Sequence, residues 1–221
     1  MSSAHKAALF DGFATVAKAL ANGRRAELID VLVQGERSVD ALAGEVGQSM
    51  ANVSQHLQVL ARAGLVVTRR DGNRVRYRLA SDAVADLWSA IRDVAAGHVA
   101  GIDRLATDYL GDRSELEQVS RYELARRLRE GVVVWDVRPG VEYEAGHVEG
   151  AVSVPPEDVK RGLRDVPKGA EVVAYCRGPF CVYADDAVRQ LRRSGRRASR
   201  LEGGFPEWRR AGLPVAVGRE T

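Results

Sequence analysis

Two cysteines, Cys176 and Cys181, lie in one short segment and are the only two in the chain. They follow the apolar run 171–175, whose β-branched and aromatic residues predict a buried strand. Gly178-Pro179 breaks the chain into a loop, and residues 184–193 then show helical spacing. A loop between a strand and a helix can aim backbone N–H groups at one point. We therefore expect it to lower the pKa of the Cys176 thiol and to hold an anion beside it.

A thiolate at Cys176 can attack the sulfane sulfur of thiosulfate, polysulfide or a small persulfide and hold it as Cys176–S–S⁻. Cys181 has two interpretations. It is either a small half-buried residue at the start of the helix, or a resolving thiol that turns a persulfide on Cys176 into a disulfide or sulfur-bridged link. Phosphatases and arsenate reductases need an oxyanion-clamping arginine six residues after the cysteine, where this chain has Val182. We therefore set the phosphatase interpretation aside.

Cys176-Arg177-Gly178 resembles the active-site loop of the rhodanese (sulfurtransferase) family. Three more segments match that family in order: D-V-R at 136–138, E-Y-x-x-G-H-V-x-G-A at 142–151 and E-G-G-x-x-x-W at 202–208. The resemblance covers about residues 114–217. It implies an α/β domain with a mostly parallel sheet and assigns Cys176 the role of nucleophile.

The same resemblance gives the neighbouring residues their expected roles. Arg177 adds positive charge or fixes the loop, and the other active-site loop residues are Gly178, Pro179, Phe180 and Val182. Four polar residues upstream are expected to be structural: Asp136, Arg138, Glu142 and His147. Among these, an Arg138–Glu142 ion pair is expected.

The first hundred residues predict a helix-turn-helix. Apolar spacing and breakers place helices at 6–20, 24–32, 38–46, capped by Ser38, and 49–63. In the last of these, an inward stripe and an outward, amide-rich face are expected. The stripe is Met50, Val53, Leu57 and Leu60, and the face is Ala51, Asn52, Gln55 and Gln58. A basic hairpin with Asp71-Gly72-Asn73 at its turn follows, typical of a wing that contacts phosphates or the minor groove.

The run V-S-Q-H-L-Q-V-L-A-R-A-G-L-V at 53–66, with the arginine-rich wing behind it, resembles the ArsR/SmtB family of winged-helix repressors over about 7–100. This implies a homodimer on double-stranded DNA with an imperfectly palindromic operator, in which helices 6–20 and 82–99 pack against the second copy. The expected DNA-binding residues are Ser49, Asn52, Ser54, Gln55, His56, Arg69, Arg70, Arg74 and Arg76.

The sequence does not reproduce the metal-binding sites of the metal-sensing members of the ArsR/SmtB family. No cysteine lies in 35–42, and Asp93, His98 and Asp103 lack the spacing of a tetrahedral site. We expect no metal and no other cofactor, and we expect the sensor in the second domain.

Length and composition agree with two domains. The chain has 221 residues, 45% hydrophobic and 29% charged, and we expect domains at 1–110 and 111–221. Net charge is +3 with an isoelectric point near 9.0, and the basic residues cluster at 69–78 and 189–200. Two cysteines exclude a disulfide scaffold, and no apolar run approaches the ~20 residues of a membrane span. With no secretory signal, the expected location is the cytoplasm.

Two functions follow. In the first, the chain is a transcription regulator, expected to repress, whose rhodanese domain senses reactive sulfur or redox state through Cys176, with Cys181 as a second thiol. In the second, it is a working sulfurtransferase that uses a Cys176 persulfide, uncoupled from DNA binding. The second cysteine favours the first function.

Overall fold

The chain divides into two compact units, Met1–Val99 and Ala100–Thr221. A computed structural model describes residues 3–218. The sequence predicts a boundary after residue 110, whereas this division falls before the helix Ile102–Leu110. Within the described residues, no helix is both long enough and apolar enough to cross a membrane.

The first unit is mainly helical with a three-stranded antiparallel sheet of order β1-β3-β2. Its elements run α1 Ser3–Leu20, α2 Gly23–Val33, β1 Arg37–Ser38, α3 Val39–Glu45, α4 Met50–Arg62, β2 Val66–Asp71, β3 Arg74–Leu79 and α5 Asp82–His98. The core lies between α2, α3 and α4, where Leu28, Leu42 and Leu57 are fully buried. The predicted helix-turn-helix and hairpin are confirmed.

Three local details differ from the sequence prediction. Ser38 occupies the N-cap position of α3 without a side-chain cap hydrogen bond. It hydrogen-bonds Asp40 instead, which lowers the pKa of that carboxyl. Met50 is 56% exposed because it opens α4 rather than facing the core. The hairpin turns at Gly72-Asn73, since Asp71 still pairs with Arg74 and Gly72 takes the φ of 59° that favours glycine.

The second unit is an α/β fold around a parallel five-stranded sheet of order β4-β9-β8-β5-β7, which confirms the predicted class. Its helices are α6 Ile102–Leu110, α7 Arg121–Arg129, α8 Gly140–Ala145, the 3-10 turn Pro156–Asp158, α9 Val159–Asp165, α10 Tyr183–Arg193 and α11 Phe205–Arg210. Its strands are β4 Gln118–Val119, β5 Val133–Asp136, β6 His147–Val148, β7 Val152–Ser153, β8 Glu171–Tyr175, β9 Arg197–Leu201 and β10 Val215–Ala216. The short pair β6–β10 is antiparallel.

Strand β8 is the centre of this sheet, paired with β5 on one side and β9 on the other. Val172, Val173, Ala174 and Tyr175 are fully buried, as expected for a central strand covered on both faces. Because parallel strands end at the same edge, the loops after β5, β8 and β9 meet there. The segment with both cysteines is the loop after β8.

Candidate functional site

The cysteine loop, residues 176–182, joins β8 to α10. Its first residue is anchored by the next strand-end segment, since the Phe205 N–H donates to the Cys176 carbonyl at 3.1 Å. Gly204 makes this approach possible. A Cβ there would lie 2.4 Å from the Gly178 nitrogen and 2.5 Å from the Cys176 oxygen. Only glycine fits, which gives the E-G-G motif a steric reason.

Arg177 fixes the loop through Glu142 of α8. Its Nε donates to Oε1 at 3.0 Å and its Nη2 donates to the same oxygen at 2.5 Å. The Glu142 side chain is fully buried and that of Arg177 is 12% exposed. Of the two roles expected for Arg177, these contacts support fixing the loop, because a forked guanidinium on a carboxylate constrains geometry as well as charge.

A second buried pair lies beneath the loop. Arg138 Nη2 donates to Asp136 Oδ2 at 2.5 Å, and the Tyr175 hydroxyl donates to the same oxygen at 2.6 Å. Burial alone would lower the pKa of Arg138, but the charge and hydrogen bonds of Asp136 hold it above its ordinary value. Glu142 acts in the same direction, and the ion pair expected between Arg138 and Glu142 stays a prediction.

The four residues expected to be structural, Asp136, Arg138, Glu142 and His147, are all fully buried. His147 stacks on Tyr143 with ring centres 3.6 Å apart, and its Nδ1 lies 2.9 Å from the Tyr143 carbonyl oxygen. The burial of these side chains fits the structural role predicted for them.

The two thiols differ in exposure. Cys176 is 1% exposed, whereas Cys181 is half-buried. The Cys176 Sγ lies 3.7 Å from the Cys181 carbonyl oxygen and 3.9 Å from that of Gly178. The two thiols are close enough for each to shift the pKa of the other. Both cysteines are free thiols.

These surroundings shift the pKa values of the two thiols in opposite directions and favour the thiolate on Cys181. Burial raises the pKa of Cys176 well above its ordinary value, and Cys181 adds to this rise. The hydrogen bond from Cys176 is the main cause that lowers the pKa of Cys181 to about 7, against its own burial. The expected fall in the pKa of Cys176 is therefore wrong for the reduced loop. The backbone N–H groups of the loop are divided between the two sulfurs, and burial removes water from the Cys176 sulfur.

Three charged residues beside the loop were missed by sequence reasoning. Asp185 of α10 is fully buried between Arg113 and Arg200, with nitrogen–oxygen distances of 2.5 and 3.2 Å. Arg113 also donates to two carbonyls of the cysteine loop. The available clue was Asp185 itself, an acidic residue beside Ala184, Ala187 and Val188 on the inward face of α10. The distant arginines gave no local signal.

The outward face of α4 carries the expected polar residues. Asn52, Gln55 and Gln58 are exposed, while Ser54 and His56 are half-buried. The Ser49 hydroxyl accepts from the Asn52 backbone N–H at 3.3 Å and so caps the helix.

The wing presents arginines with different partners. Arg69 holds Glu36 at 2.6 Å and Arg76 holds Asp71 at 2.6 Å. Arg70 and Arg74 are exposed, and neither lies within ion-pair distance of a carboxylate in the part of the chain that the structure describes. The last two are therefore the wing cations best placed to meet an external anion.

The described residues include no cluster of three or more His, Cys, Asp or Glu side chains arranged to hold a metal ion.

Thiol alkylation tests the assignment of the thiolate. Cys181 should react first with iodoacetamide, with a rate that rises through a midpoint near pH 7, the pKa of its thiol. Cys176→Ala removes the main cause of that lowered pKa. The pKa should then rise toward ~8.5, and alkylation at pH 7 should slow roughly tenfold. Cys176→Ser, which keeps a donor, is the matched control. First alkylation at Cys176, mapped by peptide mass spectrometry, would contradict the assignment.

Comparison with known proteins agrees with both units. The family model of the rhodanese-like domain matches residues 120–211, and one described as HVO_A0114 matches residues 20–85. The HTH-type transcriptional regulator Rv0324 of Mycobacterium tuberculosis is 46% identical over 217 residues, which cover 98% of this chain and 95% of that protein.

Solved structures resemble each unit separately. The homodimeric winged helix-turn-helix DNA-binding domain of Mb0332 from Mycobacterium bovis is 46% identical, covering 45% of this chain and 92% of that one, with a TM-score of 0.43. A rhodanese-related protein from Thermoplasma volcanium is 20% identical, covering 45% and 97%, with a TM-score of 0.42. From its relatives and its matched domain, the chain belongs to the ArsR-like winged helix-turn-helix transcriptional regulators fused to a rhodanese-like domain.

Proposed function

We propose that this regulator is a sulfur-responsive repressor whose Cys176–Cys181 pair changes the DNA affinity of the winged helix-turn-helix. One observation carries the proposal. Two free thiols lie in a single loop and shift each other's pKa, and the less buried one, Cys181, has a pKa of about 7. Such a pair is half ionised at neutral pH and has a second thiol ready to resolve what the first one takes up. The winged helix-turn-helix in the same chain is the DNA-binding domain that this thiol chemistry would regulate.

The chemistry uses a sulfane donor such as a small persulfide, R–S–SH. The Cys181 thiolate attacks the outer sulfur, the donor S–S bond breaks, and RS⁻ leaves with the electron pair. Cys176 then attacks the cysteine sulfur of this persulfide and expels HS⁻. In total, two thiols and R–S–SH give a disulfide, RSH and H₂S, so the cysteines are oxidised and the sulfane sulfur is reduced. With thiosulfate, sulfite leaves in the first step and Cys181–S–S⁻ remains.

This order of attack departs from the role that the rhodanese resemblance gives to Cys176. The difference in exposure is the reason, because a donor from solution meets the half-buried Cys181 before the 1% exposed Cys176. Cys176 becomes the second thiol of the pair. A cellular dithiol would restore the reduced state by exchange.

The DNA surface of this proposal is α4 with its wing. Asn52 and Gln55, whose exposed amides can pair with base edges in the major groove, are proposed to read sequence. Arg70 and Arg74 are proposed to contact phosphate. Ser49, Ser54, His56, Arg69 and Arg76 complete the surface by orienting the helix and the wing.

In this proposal, the first unit forms the dimer. As a DNA-binding regulator, the protein is proposed to act in the cytoplasm. Leu9, Phe10 and Phe13 of α1 are each more than half exposed, and Val94 of α5 is 59% exposed. Several large, exposed apolar side chains of this kind mark an interaction surface. The related Mb0332 domain is homodimeric.

Substitution of that surface tests the dimer. Phe13→Glu places a charge on a side chain that is 62% exposed and should convert the dimer to a monomer, because a carboxylate cannot be buried unpaired. Sedimentation velocity measures this. Tyr122→Glu, at a residue of α7 that is 67% exposed, is the control and should stay dimeric. A Phe13→Glu protein that sediments as wild type would show that α1 lies outside the interface.

Two classes of substitution separate base reading from phosphate contact. Asn52→Ala and Gln55→Ala should relax the preference for operator over scrambled DNA by about 1–3 kcal/mol. Arg70→Ala and Arg74→Ala should weaken binding to both DNAs and reduce the slope of log affinity against log salt by about one. Affinity is measured by fluorescence anisotropy across a salt series. If both classes behaved alike, α4 would not be the reading helix.

The response itself is tested with DNA from the region upstream of the protein's own gene. Polysulfide should weaken operator binding by wild type about tenfold or more, and Cys176→Ser and Cys181→Ser should respond weakly or not at all. Tight binding unchanged by polysulfide, together with steady thiosulfate turnover, would overturn the proposal in favour of the sulfurtransferase. Persulfide on Cys176 with Cys181 always a free thiol would overturn the two-thiol chemistry.

A further inference from the structure

Arg113 binds the cysteine loop. In sequence it lies before the matched rhodanese-like segment, which begins at residue 120. Its Nη1 donates to the Pro179 carbonyl at 2.6 Å and its Nη2 donates to the Cys181 carbonyl at 2.9 Å. Its Nε donates to the buried Asp185 carboxylate at 2.5 Å. All three nitrogens of one rigid guanidinium therefore donate, and its side chain is only 18% exposed.

The Cys181 carbonyl is a shared acceptor. It receives Arg113 Nη2 and lies 3.7 Å from the Cys176 sulfur. A sulfur–sulfur link between the cysteines removes the Cys176 S–H donor and constrains the backbone of Cys181. Such a link would therefore affect the Cys181 carbonyl oxygen, which accepts a hydrogen bond from Arg113.

The segment around Arg113 is docked by the helix that follows the loop. Arg189 of α10 donates to the Asp112 carbonyl at 2.9 Å, and Arg192 donates to the Glu115 carbonyl at 2.6 Å. The segment also closes on itself, since the Ser114 N–H donates to Asp112 and the Leu116 N–H donates to the Arg113 carbonyl. In sequence, this segment follows α6 and leads back toward the DNA-binding unit.

The Asp185 carboxylate offsets the cost of burying the Arg113 guanidinium. It is fully buried and shared by Arg113 and Arg200, so loss of Arg113 leaves a neutral Asp185–Arg200 pair. A buried carboxylate that keeps one guanidinium partner avoids the large penalty of an isolated charge. In variants of Arg113, Asp185 therefore keeps one charged partner, Arg200, at 3.2 Å.

We propose that Arg113 is a positioning residue that ties the cysteine loop to residues 112–116, so that linking Cys176 and Cys181 loosens this segment and transmits the sulfur state toward the DNA-binding unit. The inference rests on the proposed function and names the contact that carries its regulation. Arg113 takes no part in the sulfur chemistry itself.

Hydrogen exchange on the full chain tests the contact. Polysulfide treatment of wild type should speed exchange in a peptide spanning 111–117 about tenfold, because the Ser114 and Leu116 amides lose their bonds. In Arg113→Gln, exchange there should be fast with or without polysulfide. Arg104→Gln, which removes the same charge from an exposed position on α6, is the control and should behave as wild type.

Operator binding by the same variants completes the test. Arg113→Gln should still form the Cys176–Cys181 link by mass spectrometry but should lose most of the polysulfide response. Arg113→Lys keeps the charge without the fork and should also lose it, which guards against misfolding of the glutamine variant. A full response in either variant would overturn the role of Arg113. Wild type that fails to respond would instead overturn the proposed function, while the exchange data would still decide whether the link loosens 112–116.

Discussion

The buried ion pair between Arg177 and Glu142 is the constraint on which the cysteine loop depends. Taking both charges out of water is costly, and the attraction offsets that cost only when the geometry is good. The forked contact with Glu142, at 3.0 and 2.5 Å, meets this condition. It sets Arg177, the residue after Cys176, against α8. Gly204 packs against the backbone of residues 176–178 with no room for a Cβ. The sulfur of Cys176 is thus fixed at the end of β8, and its burial follows from that position.

Burial of one thiol decides the chemistry of both. Two sulfurs in one loop share a small number of backbone N–H groups, and a second negative charge beside the first is disfavoured. The pair therefore supports one thiolate at neutral pH, and the raised pKa of Cys176 and lowered pKa of Cys181 favour it on the less buried sulfur. A single-cysteine loop would concentrate all of its amides on one nucleophile. Two cysteines suit an exchange between reduced and linked states.

The sequence was sufficient for features set by local pattern. The run 171–175 is a strand because β-branched residues fit a central, doubly covered position, and the stripe Val53, Leu57 and Leu60 repeats at helical spacing. Features that depend on distant partners were not predictable in this way. The pKa of Cys176 depends on complete enclosure by other segments, and Asp185 is buried only because Arg113 and Arg200 meet it from elsewhere in the chain. Local competition explains the smaller errors, as when Ser38 bonds Asp40 rather than the backbone.

In the proposed regulator, the sulfur state of the pair and the affinity for DNA change together. The most direct measurement follows both in one polysulfide titration, with the linked fraction of Cys176–Cys181 from intact mass and the operator-bound fraction from anisotropy in the same samples. We expect the two curves to share a midpoint and dithiothreitol to restore both signals. A link that forms fully while operator binding stays constant would contradict this coupling.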